Sequence, residues 1–512
     1  MIQVTNHFIL WLYTTALHLT IVGAMFLSCK VQSPGVTDIV TPETDTLAVT
    51  ETTDNRFGYE IKTYQPEETR DFKLIHTKLE MGIDWQNQHL NGKASLILKP
   101  YFYNQSQLVL DAKNFEIHSI AINIGTEDTA LDYRYDGRKI VLDLGKEVSR
   151  EEEIQVIISY TAKGYDGDTA TNKPDDQKGF YFVNPSGEKG GLTQQVWTQG
   201  ETECNSRWFP TIEGPNQKTT QEVFITVDDK FVTLSNGKLV YSRSNSDSTR
   251  TDYWKMDIPH APYLFMFAAG DFTVVEDKSG DLPVSYYVET EYAPYARDIF
   301  GNTPEMITFY GELLNMPFPW QKYSQIIVRN FVTGAMENTT ASVFMEDLNM
   351  NRRELLDYNW DDIISHELFH QWFGDYVTCE SWANLPLNES FATYGEYLWY
   401  FHKYGADEAS YHLLEDLETY LEESKTKNER LIRFDYTNSD DMFDAHSYSK
   451  GGLILHALRN YVGDEAFFEA LELYLKTHAL GKAEVHELRL AFEQITGEDM
   501  NWFFNQWFMD AG

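Results

Sequence analysis

Cysteine is scarce in this chain: three residues, Cys29, Cys204 and Cys379, among 512. So few, with no CxxC spacing, exclude a disulfide framework and a thiolate metal site. Basic residues are also in short supply. Lys plus Arg number 41 against 79 Asp plus Glu, a formal net charge of −38. That charge repels phosphate backbones and excludes nucleic acid as the expected partner. It fits either a well-solvated acidic surface or a field that draws in cationic ligands such as peptide amino groups. No internal repeat is evident. Aromatics are plentiful, with 31 Tyr, 31 Phe and 12 Trp in a chain that is 42% hydrophobic, so disorder does not describe the whole. The length leaves room for about three or four domains.

One long apolar run is present, Phe8 to Leu27, followed by Ser28 and Cys29. It reads as an export signal or a membrane span rather than a core helix, although Met1 to His7 lack the usual Lys or Arg. Ser28-Cys29 is similar to a relaxed bacterial lipobox. Residues 1–29 are therefore expected to be a signal, lipoprotein or membrane anchor, and 30–56, acidic and Thr-rich, a disordered tether. Both readings place the body in the cell envelope, anchored to the membrane and facing periplasm or exterior. From Phe72, short alternating runs such as FKLIHTKLEM, ASLILKPYF and IQVIISYTA predict an N-terminal antiparallel β domain over 57–270. From 271 to 512 the periods are helical, several closed by Gly, and predict a mainly α domain.

Within that second part, His366-Glu367-Leu368-Phe369-His370 follows Asn359, Asp361 and Asp362, the signature of a helix start. Spacing i, i+4 puts both imidazoles on one face, as shared metal ligation requires, and leaves Glu367 beside the metal, free to handle a proton. Alone, the pattern could equally mark two hydrogen-bonded histidines on a core helix. Glu389 follows His370 after eighteen intervening residues, on the next helical segment. It completes a His, His, Glu set with an open fourth position, the arrangement of catalytic zinc. Glu396, seven residues on, shares a face with Glu389 and is either a partner for a ligand imidazole's free N–H or an exposed carboxylate. His486-Glu487-Leu488-Arg489-Leu490 lacks the second histidine and reads as an ordinary surface helix.

Four separated stretches, Gly334-Ala335-Met336-Glu337-Asn338, HELFHQWFGDYVT from His366, LNESFATY from Leu387 and Tyr448-Ser449-Lys450-Gly451, resemble the M1 family of zinc aminopeptidases in the gluzincin clan. The resemblance implies a multidomain fold, the N-terminal β domain followed by a thermolysin-like catalytic domain, with one Zn2+ on His366, His370 and Glu389. It implies substrate contacts from Gly334, Ala335, Met336, Glu337 and Asn338, with Glu337 anchoring the free α-amino group of a peptide. Thr198-Gln199-Gly200-Glu201 is similar to the family's β-domain loop, which assigns Gln199 and Glu201 to substrate. Glu367 would be the general base, and Tyr448 the donor to the developing oxyanion. Three positions depart from the pattern: Ser390 where Gly is usual, Asp375 where Asn is common, and Glu213-Gly214-Pro215 for Asp-Glu-Pro.

The expected activity is hydrolysis of the N-terminal peptide bond. Competing readings are an inactive binding scaffold, a thermolysin-type endopeptidase and an epoxide hydrolase-type side activity; the intact ligand set argues against the first and Glu337 against the second. The C-terminal β-sandwich and helical domains common in the family are expected to be absent. The aromatic end, Trp502, Phe503, Phe504, Trp507 and Phe508, is then expected to form an exposed patch.

Overall fold

The first strand, Phe72–Asp84, illustrates how the β part is specified. Phe72 and Leu74 point inward, a bulge falls between Leu74 and His76, and Thr77, Leu79 and Met81 then carry the buried side in the opposite phase. The extra residue resets the two-residue period, as a bulge must. This strand lies in an eight-stranded sheet whose neighbours are antiparallel with one exception. Phe72–Asp84 runs parallel to Thr219–Asp228, Leu79 lying opposite Val223. The long connection between them permits this, whereas the hairpin-like runs that suggested a wholly antiparallel domain do not reveal it.

The structure is a computed structural model that describes residues 64–65, 69–123, 128–166 and 179–511. The anchor and tether expected over 1–56 lie outside the described residues. Lys62–Gly512 forms one compact unit. Among the described residues, no helix is long and apolar enough to cross a membrane.

A second, five-stranded sheet carries Gln195–Gln199, a strand buried along its whole length. It ends just before Gly200 and Glu201, and so fixes where Glu201 emerges. After Gly270, where helices were expected at once, strands come first. Thr273–Ser279, Leu282–Val288, Tyr323–Val328, Ala341–Met345 and Ala335–Met336 form a mixed five-stranded sheet, with Ala335–Met336 at its edge. Runs such as YSQIIV are buried on both faces, and a short continuous apolar run does not announce strand over helix. The helices Asp361–Phe369, Pro386–Lys403, Ala406–Glu423 and Gly451–Val462 follow and build a second core. The aromatic end differs from expectation: Phe503, Phe504 and Phe508 are buried in that core, Trp507 is partly buried, and of the five only Trp502 is exposed. Packing against Phe492 and a bond from Ile432 N to Phe508 O absorb the segment.

Candidate metal centre

The first site helix, Asp361–Phe369, is preceded by Asn359, whose Oδ1 accepts Asp361 N at 3.4 Å. Asp361 does more than balance a helix dipole. Its buried Oδ2 accepts from Asn302 Nδ2 (2.8 Å), Trp399 Nε1 (2.9 Å) and Tyr404 hydroxyl (2.6 Å), pinning this helix to the second site helix, Pro386–Lys403. The two helices approach closely because Gly395 lies against Phe369, where a Cβ would stand 2.7 Å from the ring. The helical hydrogen bond from His370 N to His366 O keeps both imidazoles on one face.

Glu389 projects from the second helix between them, its Oε2 3.3 Å from both His366 Nε2 and His370 Nε2. The other ring nitrogens are occupied. His366 Nδ1 lies 2.6 Å from Glu396 Oε1, and His370 Nδ1 lies 2.9 Å from Phe373 O. A carbonyl can only accept, so His370 Nδ1 carries a proton and Nε2 is the nitrogen left to meet Glu389 or a metal. The donor set therefore fits a zinc ion: two Nε2 atoms and one carboxylate converge, all buried, within 4.8 Å of one another. Electrostatics agree that a cation belongs here. Burial pulls the His370 imidazole down, but Glu389 and Glu337 more than reverse this and push it up to about 9. Glu389 is buried yet held well below the usual carboxylate range by the two histidines.

Glu367 faces the same space. Its Oε2 is buried with no hydrogen-bond partner among the described residues. Burial raises its carboxyl to about 8, with Glu337 and Glu389 adding to the rise and the two histidines opposing it. Without a metal such a group keeps its proton near neutral pH, and a cation held by the adjacent donors would lower it toward the range in which a carboxylate accepts one.

The edge strand Ala335–Met336 delivers Glu337. Gln371, from the turn after the first site helix, clamps this segment through Nε2 to Glu337 O (2.9 Å), and its Oε1 accepts Thr340 N (2.9 Å). Tyr263 hydroxyl donates to Glu337 Oε1 at 3.3 Å. Oxygens of Glu201, Glu337 and Glu389 also come within 4.8 Å of one another, so Glu389 belongs to both the metal set and an acidic cluster. Gln199, Met336 and Asn338 lie deeper: Gln199 Nε2 meets Met336 Sδ at 3.3 Å, Asn338 Nδ2 bonds Leu264 O at 3.3 Å, and none of the three lines the cavity.

Tyr448 sits in a single wide turn, His446–Lys450, with its ring parallel to His366 at 5.9 Å. Asp444 Oδ1 accepts the amides of His446 and Ser447, and Arg433 holds Asp444 at 2.5 Å. Ser390 Oγ bonds Ser447 O at 2.6 Å, and a Cβ at Gly451 would stand 1.8 Å from that hydroxyl. The serine at 390 thus ties the second helix to the tyrosine turn, and glycine at 451 makes room for it. Burial, with Glu389, Glu201 and Glu337, pushes the Tyr448 phenol well above its usual value, so it stays a donor. Of the other departures, Glu213 is partnered through its side chain and Asp375 through its main chain. Glu213 accepts Ser206 N and Oγ and pairs with Lys113 at 2.9 Å, while Asp375 is buried beside Lys218, whose Nζ bonds Asp375 O at 2.7 Å.

These groups line a cavity of about 300 Å³ that includes Glu201, Gly334, Ala335, Glu337, Asp362, Glu367, Glu389, Glu396 and Tyr448, and no Lys or Arg. A larger cleft of about 650 Å³, near Arg70 and the Lys113–Glu213 pair, is lined by none of the metal donors, so size alone does not locate the chemistry. Glu423, Asp444 and His446 also converge, but Arg433 and Lys427 neutralise Asp444 and His446 Nε2 accepts Glu429 N, so this cluster lacks the free donors of the first.

An open three-donor centre with a free carboxylate beside it defines the class of catalytic, rather than structural, metal sites. Family models then place the chain within that class. The peptidase M1 N-terminal domain matches residues 73–264 and the peptidase family M1 domain matches residues 299–507. The chain belongs to peptidase family M1. It is 30% identical over 361 residues to Aminopeptidase M1 of Arabidopsis thaliana, covering 66% of this chain and 39% of that one. To Aminopeptidase N of Streptomyces lividans it is 30% identical over 353 residues, covering 65% and 39%. The chain thus spans well under half the length of these relatives. The fold is similar to that of an M1 zinc metallopeptidase from Deinococcus radiodurans, with TM-score 0.70 and 20% identity over 87% of this chain and 95% of that one. It is also similar to Legionella pneumophila aminopeptidase A in complex with aspartic acid, with TM-score 0.72 and 20% identity over 88% and 51%.

Proposed function

We propose that this chain is a zinc-dependent aminopeptidase that hydrolyses the first peptide bond of peptides with a free α-amino group. One observation carries the reading: Glu389 is shared between the metal donors and the Glu201–Glu337 acidic cluster. A peptide ammonium between those two carboxylates brings its own first carbonyl, and no later one, to the metal. Bound zinc supplies Lewis acidity to that carbonyl and lowers the pKa of water.

The chain's residues do the rest. Ala335–Met336 is the edge of its sheet and offers backbone groups along which a peptide can lie as an added strand. Glu367 accepts the proton of the attacking water and returns it to the leaving amine. Tyr448 donates to the oxygen on which charge develops, a contribution of about 3 kcal/mol for such a donor. The test is cleavage of aminoacyl amides with and without chelator, alongside zinc content. Chelator-insensitive cleavage by zinc-free protein would refute the reading.

The same proposal includes a cell-envelope location through an N-terminal anchor at Cys29, supported by the apolar run Phe8 to Leu27 and the acidic stretch after it. Cys29→Ser is expected to move the protein out of the membrane fraction; unchanged fractionation would count against lipidation.

A further inference from the structure

The third site helix, Ala406–Glu423, adds a residue behind the metal donors. Glu396 spends one oxygen on His366 Nδ1 at 2.6 Å, and its other oxygen, Oε2, stands 2.9 Å from His412 Nε2. The His412 side chain is only 13% exposed. Its ring stacks on Tyr400, centroids 4.9 Å apart and planes within 16°, one turn beyond Glu396 on the second helix. Asp416, one turn beyond His412 on the same helix, adds a second carboxylate whose charge acts on the same imidazole. A carboxylate held at one oxygen can still rotate; held at both, it cannot without breaking a buried charge pair. A ligand imidazole is only as well aimed as the group that receives its second N–H.

We propose that His412 is a positioning residue that fixes the Glu396 carboxylate and, through it, the aim of His366 Nε2 toward the metal. His412 touches neither metal nor substrate. The inference rests on reading His366 as a zinc ligand, and it adds a layer of support from a separate helix.

The test is zinc affinity of the full chain, read by competition with a chromogenic chelator, with folding checked by circular dichroism. His412→Leu removes the cation and keeps the bulk. It is expected to weaken zinc binding about 10-fold, the low end for loss of an outer partner. His412→Gln, whose amide can donate to Glu396, is expected to recover most of that loss. In a Glu396→Gln background, His412→Leu is expected to change affinity less than about twofold, because the path through Glu396 is already cut. If His412→Leu does not fold, His412→Asn, too short to reach, is compared with His412→Gln in its place. Zinc affinity within twofold of wild type for the leucine or asparagine variant, or an undiminished loss in the Glu396→Gln background, would overturn the role of His412. A wild-type chain that takes up no zinc would instead overturn the metal reading itself.

Discussion

Replacing Glu337 by glutamine keeps the side chain's shape and removes only its charge, so it isolates the contact proposed for the substrate ammonium. Glu337 is 3% exposed and stands with Glu201 and Glu389 at the metal end of the cavity. At about 4 Å and an effective dielectric constant near 20, a carboxylate and an ammonium attract by about 4 kcal/mol, before either group's desolvation is counted. A hydrogen bond to a charged group nets about 1.5–3 kcal/mol, and that range is the more appropriate one for a variant that retains a neutral acceptor. At about 1.4 kcal/mol per factor of ten, Glu337→Gln is expected to lower kcat/KM on free-amine substrates by about 10- to 150-fold. The assay is initial-rate hydrolysis of an aminoacyl amide at matched zinc content. Misplacement of the first carbonyl lowers kcat as well as raising KM, so both parameters are expected to move. A kcat/KM within twofold of wild type would refute the assignment, because a buried charge pair to the substrate cannot be lost so lightly.

Glu367→Gln is expected to retain zinc and lose about 10²–10⁴ in turnover, whereas Glu389→Ala is expected to lose zinc itself; metal analysis beside kinetics separates the two. Tyr448→Phe is expected to lower kcat by about 100-fold with little change in KM, and equal losses in binding of substrate and turnover would count against an oxyanion role. His412 yields a pH prediction for metal-free protein. Burial pulls its imidazole down, but Glu396 on the second helix, Asp416 on its own helix and Asp362 on the first outweigh this and raise it to about 9. A folded value above the unfolded one means that its stabilisation is fully present below about pH 6.5 and lost as pH rises through about 9. A rise from 6.5 to about 9 corresponds to about 3 kcal/mol at most. The stability difference between wild type and His412→Leu, from urea unfolding, is therefore expected to shrink by up to that amount between pH 6 and pH 10, and a constant difference would contradict it.

The metal donors were legible in the sequence because their geometry is local: a four-residue step places two imidazoles on one helix face, and the next helix returns a carboxylate. Glu396 was legible for the same reason, seven residues being two helical turns. His412 was not, because it reaches Glu396 across a contact between two helices that no spacing records. Asp361 was expected to mark a helix start and proves also to be a buried acceptor for three donors from other elements. Gln371, inside a stretch already quoted for its resemblance, clamps the Glu337 segment through main-chain contacts that the motif alone does not show. The strands Tyr323–Val328 and Ala341–Met345 were hidden because buried runs carry no alternation, and the aromatic end was misjudged because amphipathicity cannot reveal which core a terminal helix meets.

One metal centre and one ammonium site acting together would limit cleavage to the first peptide bond. The most direct measurement is mass spectrometry of digests of one peptide supplied with a free and with an acetylated N-terminus, using zinc-loaded protein. Stepwise release of single residues from the free peptide and no cleavage of the acetylated one is the expected result. Comparable cleavage of both, or internal fragments from either, would contradict the account.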